Sequence, residues 1–219
     1  DLPSAPHSNL ETFYVSQQTG GVQLRNTITS GVVLVYDSTT DPNPVVGVET
    51  EYSDSNSLIY PVSVDAQLPV DTIVGTSVHY AASLGSPGYG DIIRFSQQVD
   101  GSTLGTGRYD YDLTATVNFT GGSLTSTRSF SGTTHVVNRN ASEFGDNWSV
   151  AALDQLFIES SGVLLVDGNN IASWFEDNSG TFVSPAGPLA HSTLVENIDD
   201  SYTLTDKYGN KAEFDEDGL

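Results

Sequence analysis

The 219 residues contain no cysteine and no methionine. Without thiols there is neither a disulfide framework nor a thiolate metal site, so stability has to come from buried area or from bound ions. Basic residues are also scarce. Seven stand against 28 acidic ones, for a formal net charge of −21. Both lysines, Lys207 and Lys211, fall near the end of the chain. A surface this acidic repels phosphate backbones and anionic lipid heads, which sets aside nucleic acid and membrane surfaces as partners. It suits a solvated extracellular protein, or one whose carboxylates gather around a hard cation. No apolar run approaches the ~20 residues of a spanning helix, so membrane insertion is not expected. With no signal peptide at Asp1, the chain reads as a trimmed mature fragment.

What is present points to strands. Val, Thr and Tyr are plentiful, and 21 Gly and 9 Pro punctuate the chain. β-Branched and aromatic residues fit a pleated, half-buried surface, while Gly and Pro break it into short elements. Residues 1–27 are polar and read as an N-terminal extension with one apolar cluster, Phe13-Tyr14-Val15. From Ile28 the punctuation is regular. Gly31–Tyr36 is an apolar run closed by the turn-rich Asp37–Pro44, and further strand candidates are 45–52, 58–66, 72–82 and 91–99. From Arg108 to Phe119 the alternation is strict. Tyr109, Tyr111, Leu113, Ala115, Val117 and Phe119 share one parity, with Arg108, Asp110, Asp112, Thr114, Thr116 and Asn118 between them. Period two predicts a buried face and a wet face. Leu104-Gly105 followed by Tyr109 resembles the tyrosine corner of Greek-key sandwiches. Residues 28–139 therefore read as one Greek-key (Ig/fibronectin-like) β-sandwich.

After Asn140 the texture changes to a β-hairpin meander over 140–219. Gly162–Val166, Ile171–Phe175 and Thr181–Val183 are separated by Asp167-Gly168-Asn169-Asn170 and Asp177-Asn178-Ser179-Gly180, turns whose residues tolerate positive φ. Val150–Leu156 is the one stretch with a helical turn in its pattern. The expected class is all-β, a sandwich followed by hairpins.

Certain residues of this second part carry a resemblance. They are Ser142-Glu143-Phe144-Gly145-Asp146-Asn147-Trp148-Ser149, Leu153-Asp154-Gln155-Leu156 and Gly162-Val163-Leu164-Leu165-Val166, then Phe175, Ser184-Pro185-Ala186-Gly187 and Ser192-Thr193-Leu194-Val195. The series ends with Ser201-Tyr202-Thr203-Leu204-Thr205-Asp206-Lys207-Tyr208-Gly209, Phe214-Asp215 and Gly218-Leu219. In this order they resemble the opening of a bacterial Rhs/YD-repeat surface protein, and the sandwich before them resembles the domain preceding the repeats. The resemblance implies an architectural, non-catalytic part of a large extracellular or cell-surface protein, whose partner is the remainder of the parent polypeptide. It also implies that each hairpin needs the next to bury its apolar face.

Other chemistry is weighed against that reading. His7, His79, His135 and His191 lack metal-ligand spacing, and no nucleophile elbow accompanies them, so an enzyme is not expected. Calcium is the candidate ion, because Asp37, Asp41, Asp167 and Asn169 stand in turns where oxygens can converge on a hard cation. The same residues are common in turns for backbone reasons alone. A glycan is the alternative partner, stacked on Tyr89, Trp174 or Phe175 in an adhesive or carbohydrate-binding module.

Overall fold

The computed structural model describes the backbone of residues 13–16, 24–27 and 33–36, and residues 42–51, 60–81, 91–122, 124–151 and 153–219. Among these the chain is all-β, and no stretch is helical. The chain forms two compact units that interleave along the sequence. Unit one comprises residues 1–18, 43–100 and 110–134, and unit two comprises 19–42, 101–109 and 135–219.

Unit one holds two antiparallel sheets, as in a β-sandwich. In the first, β4 (Val45–Glu51) lies between β1 (Phe13–Ser16) and β7 (Ile92–Gln98). In the second, the order is β6-β5-β8-β9, from β5 (Pro61–Gln67), β6 (Val78–Ala81), β8 (Gly107–Phe119) and β9 (Thr125–Val136). Strand β8 belongs to unit two through Tyr109 and to unit one from Asp110 onward. The alternation read along β8 has the expected sense. Tyr111, Leu113 and Ala115 are buried, and Asp110 and Asp112 are exposed. Val117 and Phe119 are only half-buried: parity sets the face of a strand, and the surroundings set its depth. The buried apolar side chains include Val46, Val48, Ile93 and Phe95 from the first sheet, Val64, Ala66, Tyr111, Leu113, Ala115 and Phe130 from the second, and Leu68 and Val70 just after β5. The Tyr80 and Phe95 rings, one from each sheet, lie 5.6 Å apart.

Unit two contains three antiparallel sheets. One joins β2 (Leu24–Thr27), β3 (Val33–Tyr36) and β10 (Trp148–Val150). The stretch expected to be an extension thus supplies β1 to unit one and β2 to unit two. The second sheet runs β11 (Gln155–Glu159), β12 (Gly162–Val166), β13 (Ala172–Asp177) and β14 (Phe182–Val183). The expected helical turn is absent. After β10 the Leu153 N–H closes a tight turn on the Val150 carbonyl at 3.0 Å, and the chain re-enters a strand at Gln155. Every residue of β12 is buried, which accounts for its unbroken apolar run in place of an alternating one. The third sheet is β15 (Thr193–Glu196), β16 (Tyr202–Thr205) and β17 (Lys211–Phe214). Leu194, Tyr202, Leu204 and Phe214 from this sheet share one apolar cluster with Leu156, Val163, Leu165 and Phe175 from the previous one. Neither hairpin group has enough apolar side chains for its own core. Together they do.

The turns of unit two are near-copies of one another. Five-residue loops begin at Asp167, Asn197, Asp206 and Asp215. In each, the first N–H donates to the fifth carbonyl and the fourth N–H to the first carbonyl, at 2.7–3.1 Å. The fourth residue has positive φ every time: Asn170 65°, Asp200 64°, Gly209 85° and Gly218 81°. In the three loops headed by Asp, its Oδ1 also accepts the N–H groups of the third and fifth residues. A short acidic side chain at position one and a residue tolerant of the left-handed region at position four are what this loop demands.

Candidate functional site

The aromatic residues proposed as a sugar platform divide. Tyr89 lies outside the described residues. Phe175 is fully buried in the shared cluster of unit two, so it has no face to offer and is a core residue. Trp174 is half-buried. The Arg108 guanidinium sits 4.8 Å from its ring centroid, and the His135 ring centroid is 6.5 Å away. A Cβ placed on Gly162 would lie 2.6 Å from the ring, which measures how closely that strand passes. Trp174 is thus a packed aromatic in a cation–π contact, with its buried Nε1 lacking an acceptor. Arg108 is fixed through its own backbone N–H, which donates to Glu159 Oε1 at 2.8 Å. Burial, and then the Arg108 charge, push the His135 pKa down from 6.5.

The turn carboxylates proposed for calcium are placed only in part, since Asp37 and Asp41 lie outside the described residues. Asp167 uses Oδ1 on its own loop, accepting from Asn169 N at 2.8 Å and Ile171 N at 2.9 Å. One further carboxylate belongs to this neighbourhood. Asp154 accepts the Gly168 N–H at 3.2 Å. Burial raises its pKa, opposed by that N–H and assisted by the Asp167 charge. Among the described residues no group of three or more His, Cys, Asp or Glu side chains is placed to share a metal ion.

In unit one, His79 Nδ1 and Asp65 Oδ1 are 2.5 Å apart on the exposed face of β5 and β6. Asn118 Nδ2 donates to Asp65 Oδ2 at 2.7 Å and to Ser63 Oγ at 3.0 Å. The His79 hydrogen bond, then that from Asn118, hold the Asp65 carboxyl below its ordinary value. This is a cross-strand polar ladder, since the Asn118 and Asp65 positions come from the antiparallel pairing of β5 with β8.

A cavity of about 340 Å3 lies wholly within unit two. Its wall includes Thr106, Asn138, Arg139, Phe144, Gln155 and Phe157. Asn138 is locked in place. Its Nδ2 donates to the Leu104 carbonyl at 2.7 Å, and its backbone N–H donates to Thr106 Oγ1 at 2.9 Å. Next to it, Arg139 donates from Nε to Asn170 Oδ1 at 3.1 Å and from Nη1 to Gln155 Oε1. Its Nη2 is buried without an acceptor. Nothing in the sequence singled out this cavity. Its wall is gathered from four separate stretches, 105–106, 138–144, 155–157 and Leu219, and its one signal was an arginine flanked by asparagines in an acid-rich chain.

Neither a scan of protein-family models nor a search of curated proteins finds a match. Function has therefore to be argued from the residues themselves.

Proposed function

We propose that this chain is a non-catalytic architectural module of a large bacterial surface protein of the Rhs/YD-repeat type. In this reading its sandwich serves as the base and its hairpins as the start of a longer sheet. The supporting observation is a period. Asn197, Asp206 and Asp215 each head the same five-residue loop, and the four-residue strands β16 and β17 fill the intervals. One strand and one loop make nine residues, and the unit recurs without a change of phase. Its inward face is equally regular, with Leu204 opposite Leu194 and Ala212, and Phe214 opposite Tyr202. Among the described residues β17 pairs only with β16, so its outer edge offers backbone N–H and C=O groups to a further strand.

Within the same reading unit one is a Greek-key sandwich of the Ig/fibronectin kind. The supporting feature stands just before β8 enters unit one, where the Tyr109 hydroxyl donates to the Gly105 carbonyl at 3.1 Å in the manner of a tyrosine corner. An extracellular setting agrees with the acid-rich, cysteine-free composition. The partner is the rest of the parent polypeptide.

The period itself supplies a test. A second copy of residues 202–219, joined after Leu219, places Tyr202 where the next strand should begin. The reading expects the added residues to fold as β-sheet, seen as an increase in far-ultraviolet strand signal above that of the 219-residue chain. If the added copy contributes only a coil spectrum, the hairpins are not built to propagate.

A further inference from the structure

We propose that the cavity beside Arg139 binds a carboxylated sugar ring of the uronic-acid class. The proposal is independent of the architectural reading and rests on one unusual arginine. Acidic residues outnumber basic ones 28 to 7, so an arginine in this chain should find a carboxylate easily. Arg139 has none. The ion pairs among the described residues are His79–Asp65 and Arg94–Glu49, and the side-chain partners of Arg139 are the neutral amides of Asn170 and Gln155. A half-buried guanidinium that keeps its charge and has only neutral partners is short of an anion.

Its remaining donors suit a carboxylate. Nε is used on Asn170 and one Nη1 hydrogen on Gln155, which leaves the second Nη1 hydrogen and both Nη2 hydrogens. One hydrogen from each Nη nitrogen would make an end-on fork for two carboxylate oxygens side by side. Gln155 adds to the set. Arginine can only donate, so Gln155 must turn its oxygen toward Nη1, and its NH2 group remains as a donor in the cavity wall. Phe157 and the exposed Phe144 supply apolar surface for the carbon face of a ring. At about 340 Å3 the cavity is at the small end of ligand sites, which run from roughly 300 to 1,000 Å3, and a single sugar suits it better than a chain. Nη2 is covered, so docking has to move part of the wall, and the exposed Glu143 and Phe144 are the lining residues freest to shift. The carboxylate of Glu143 opposes the ligand's charge and keeps affinity modest.

The test is an NMR titration of the 219-residue protein with glucuronate at constant ionic strength, following the Arg139 Nε–H and Gln155 side-chain amide signals. Glucose, inorganic phosphate and a capped aspartate are the comparison probes. Saturable shifts of both signals are expected, with glucuronate at least about tenfold tighter than each comparison probe. Arg139→Lys keeps the charge but loses the fork and should weaken glucuronate about tenfold. Glu143→Gln, an exposed change that leaves the fold alone, should tighten it by roughly threefold by removing a like charge. The proposal is overturned if these signals do not saturate by about 50 mM glucuronate, a concentration that covers even weak sites. It is equally overturned if phosphate or the capped aspartate binds as well as glucuronate, or if Glu143→Gln brings no gain.

Discussion

Gly209 and Gly218 occupy the same fourth position in successive loops, at φ 85° and 81°, yet their surroundings differ. Gly209 is exposed, and a Cβ there would meet nothing within 4 Å. Gly218 is buried, and a Cβ there would lie 2.2 Å from the carbonyl oxygen of Leu156, well inside contact distance. The Gly218 carbonyl also accepts the Leu156 N–H at 2.8 Å, tying the last loop to β11. Gly209→Ala should therefore cost only the left-handed penalty, about 1 kcal/mol. Gly218→Ala carries the same penalty and must also push one backbone segment off another. That strands a buried donor at a further cost of about 1–3 kcal/mol, so about 3 kcal/mol in all is expected. Urea unfolding followed by tryptophan fluorescence reads the right part of the molecule, since Trp148 and Trp174 both belong to unit two. Asn170 already fills this loop position at φ 65°, so Gly209→Asn should cost less than Gly209→Ala. Equal losses for the two alanine variants would refute the packing of the last loop against Leu156.

Other expectations follow from the same structure. Leu113→Ala removes a fully buried side chain of β8 and should cost about 2–5 kcal/mol, whereas the exposed Asp112→Ala should stay within about 0.5 kcal/mol; thermal melts compare them. Tyr109→Phe deletes the hydroxyl bonded to Gly105 and should lower stability by about 0.5–1.5 kcal/mol in the same assay. His135 has a folded pKa below 6.5, so as pH falls past 6.5 the unfolded chain takes up the proton first and stability drops; His135→Gln should flatten that slope in melts between pH 7 and 5. Asp154 has a raised folded pKa, so its charge opposes folding at neutral pH; Asp154→Asn should raise the melting temperature at pH 7, and the gain should vanish once the carboxyl is protonated.

Much of the strand pattern was legible because the turns are chemically explicit. Gly162–Val166 forms the expected strand with the expected bounds, since Asp167-Gly168-Asn169-Asn170 closes it. The buried face of β8 was legible from parity. Other features were not. Leu24-Arg25-Asn26-Thr27 is too short and too polar to announce β2, and it is a strand because β3 pairs with it. The helical spacing within Val150–Leu156 yielded to the turn after β10 and the pairing of β11 with β12. The interleaving of the units depends on which segments meet after folding, and local pattern carries no record of that. The candidate sites fared as the same logic predicts. Phe175 sits in a strand whose neighbours bury it, and the Arg139 cavity is assembled from stretches that local pattern does not connect, from Gly105 to Leu219.

The architectural proposal requires β17, an edge strand among the described residues, to become an interior strand of a longer sheet. Hydrogen exchange at Lys211, Ala212, Glu213 and Phe214 tests it most directly, measured with and without the second copy of residues 202–219 joined after Leu219. Without the copy, the amides that face away from β16 should exchange fast, because an unpaired edge opens to water. With the copy, the account predicts that exchange of these amides slows by at least about tenfold, the mark of a new strand paired along β17. Unchanged exchange, with the added residues themselves unprotected, would contradict it.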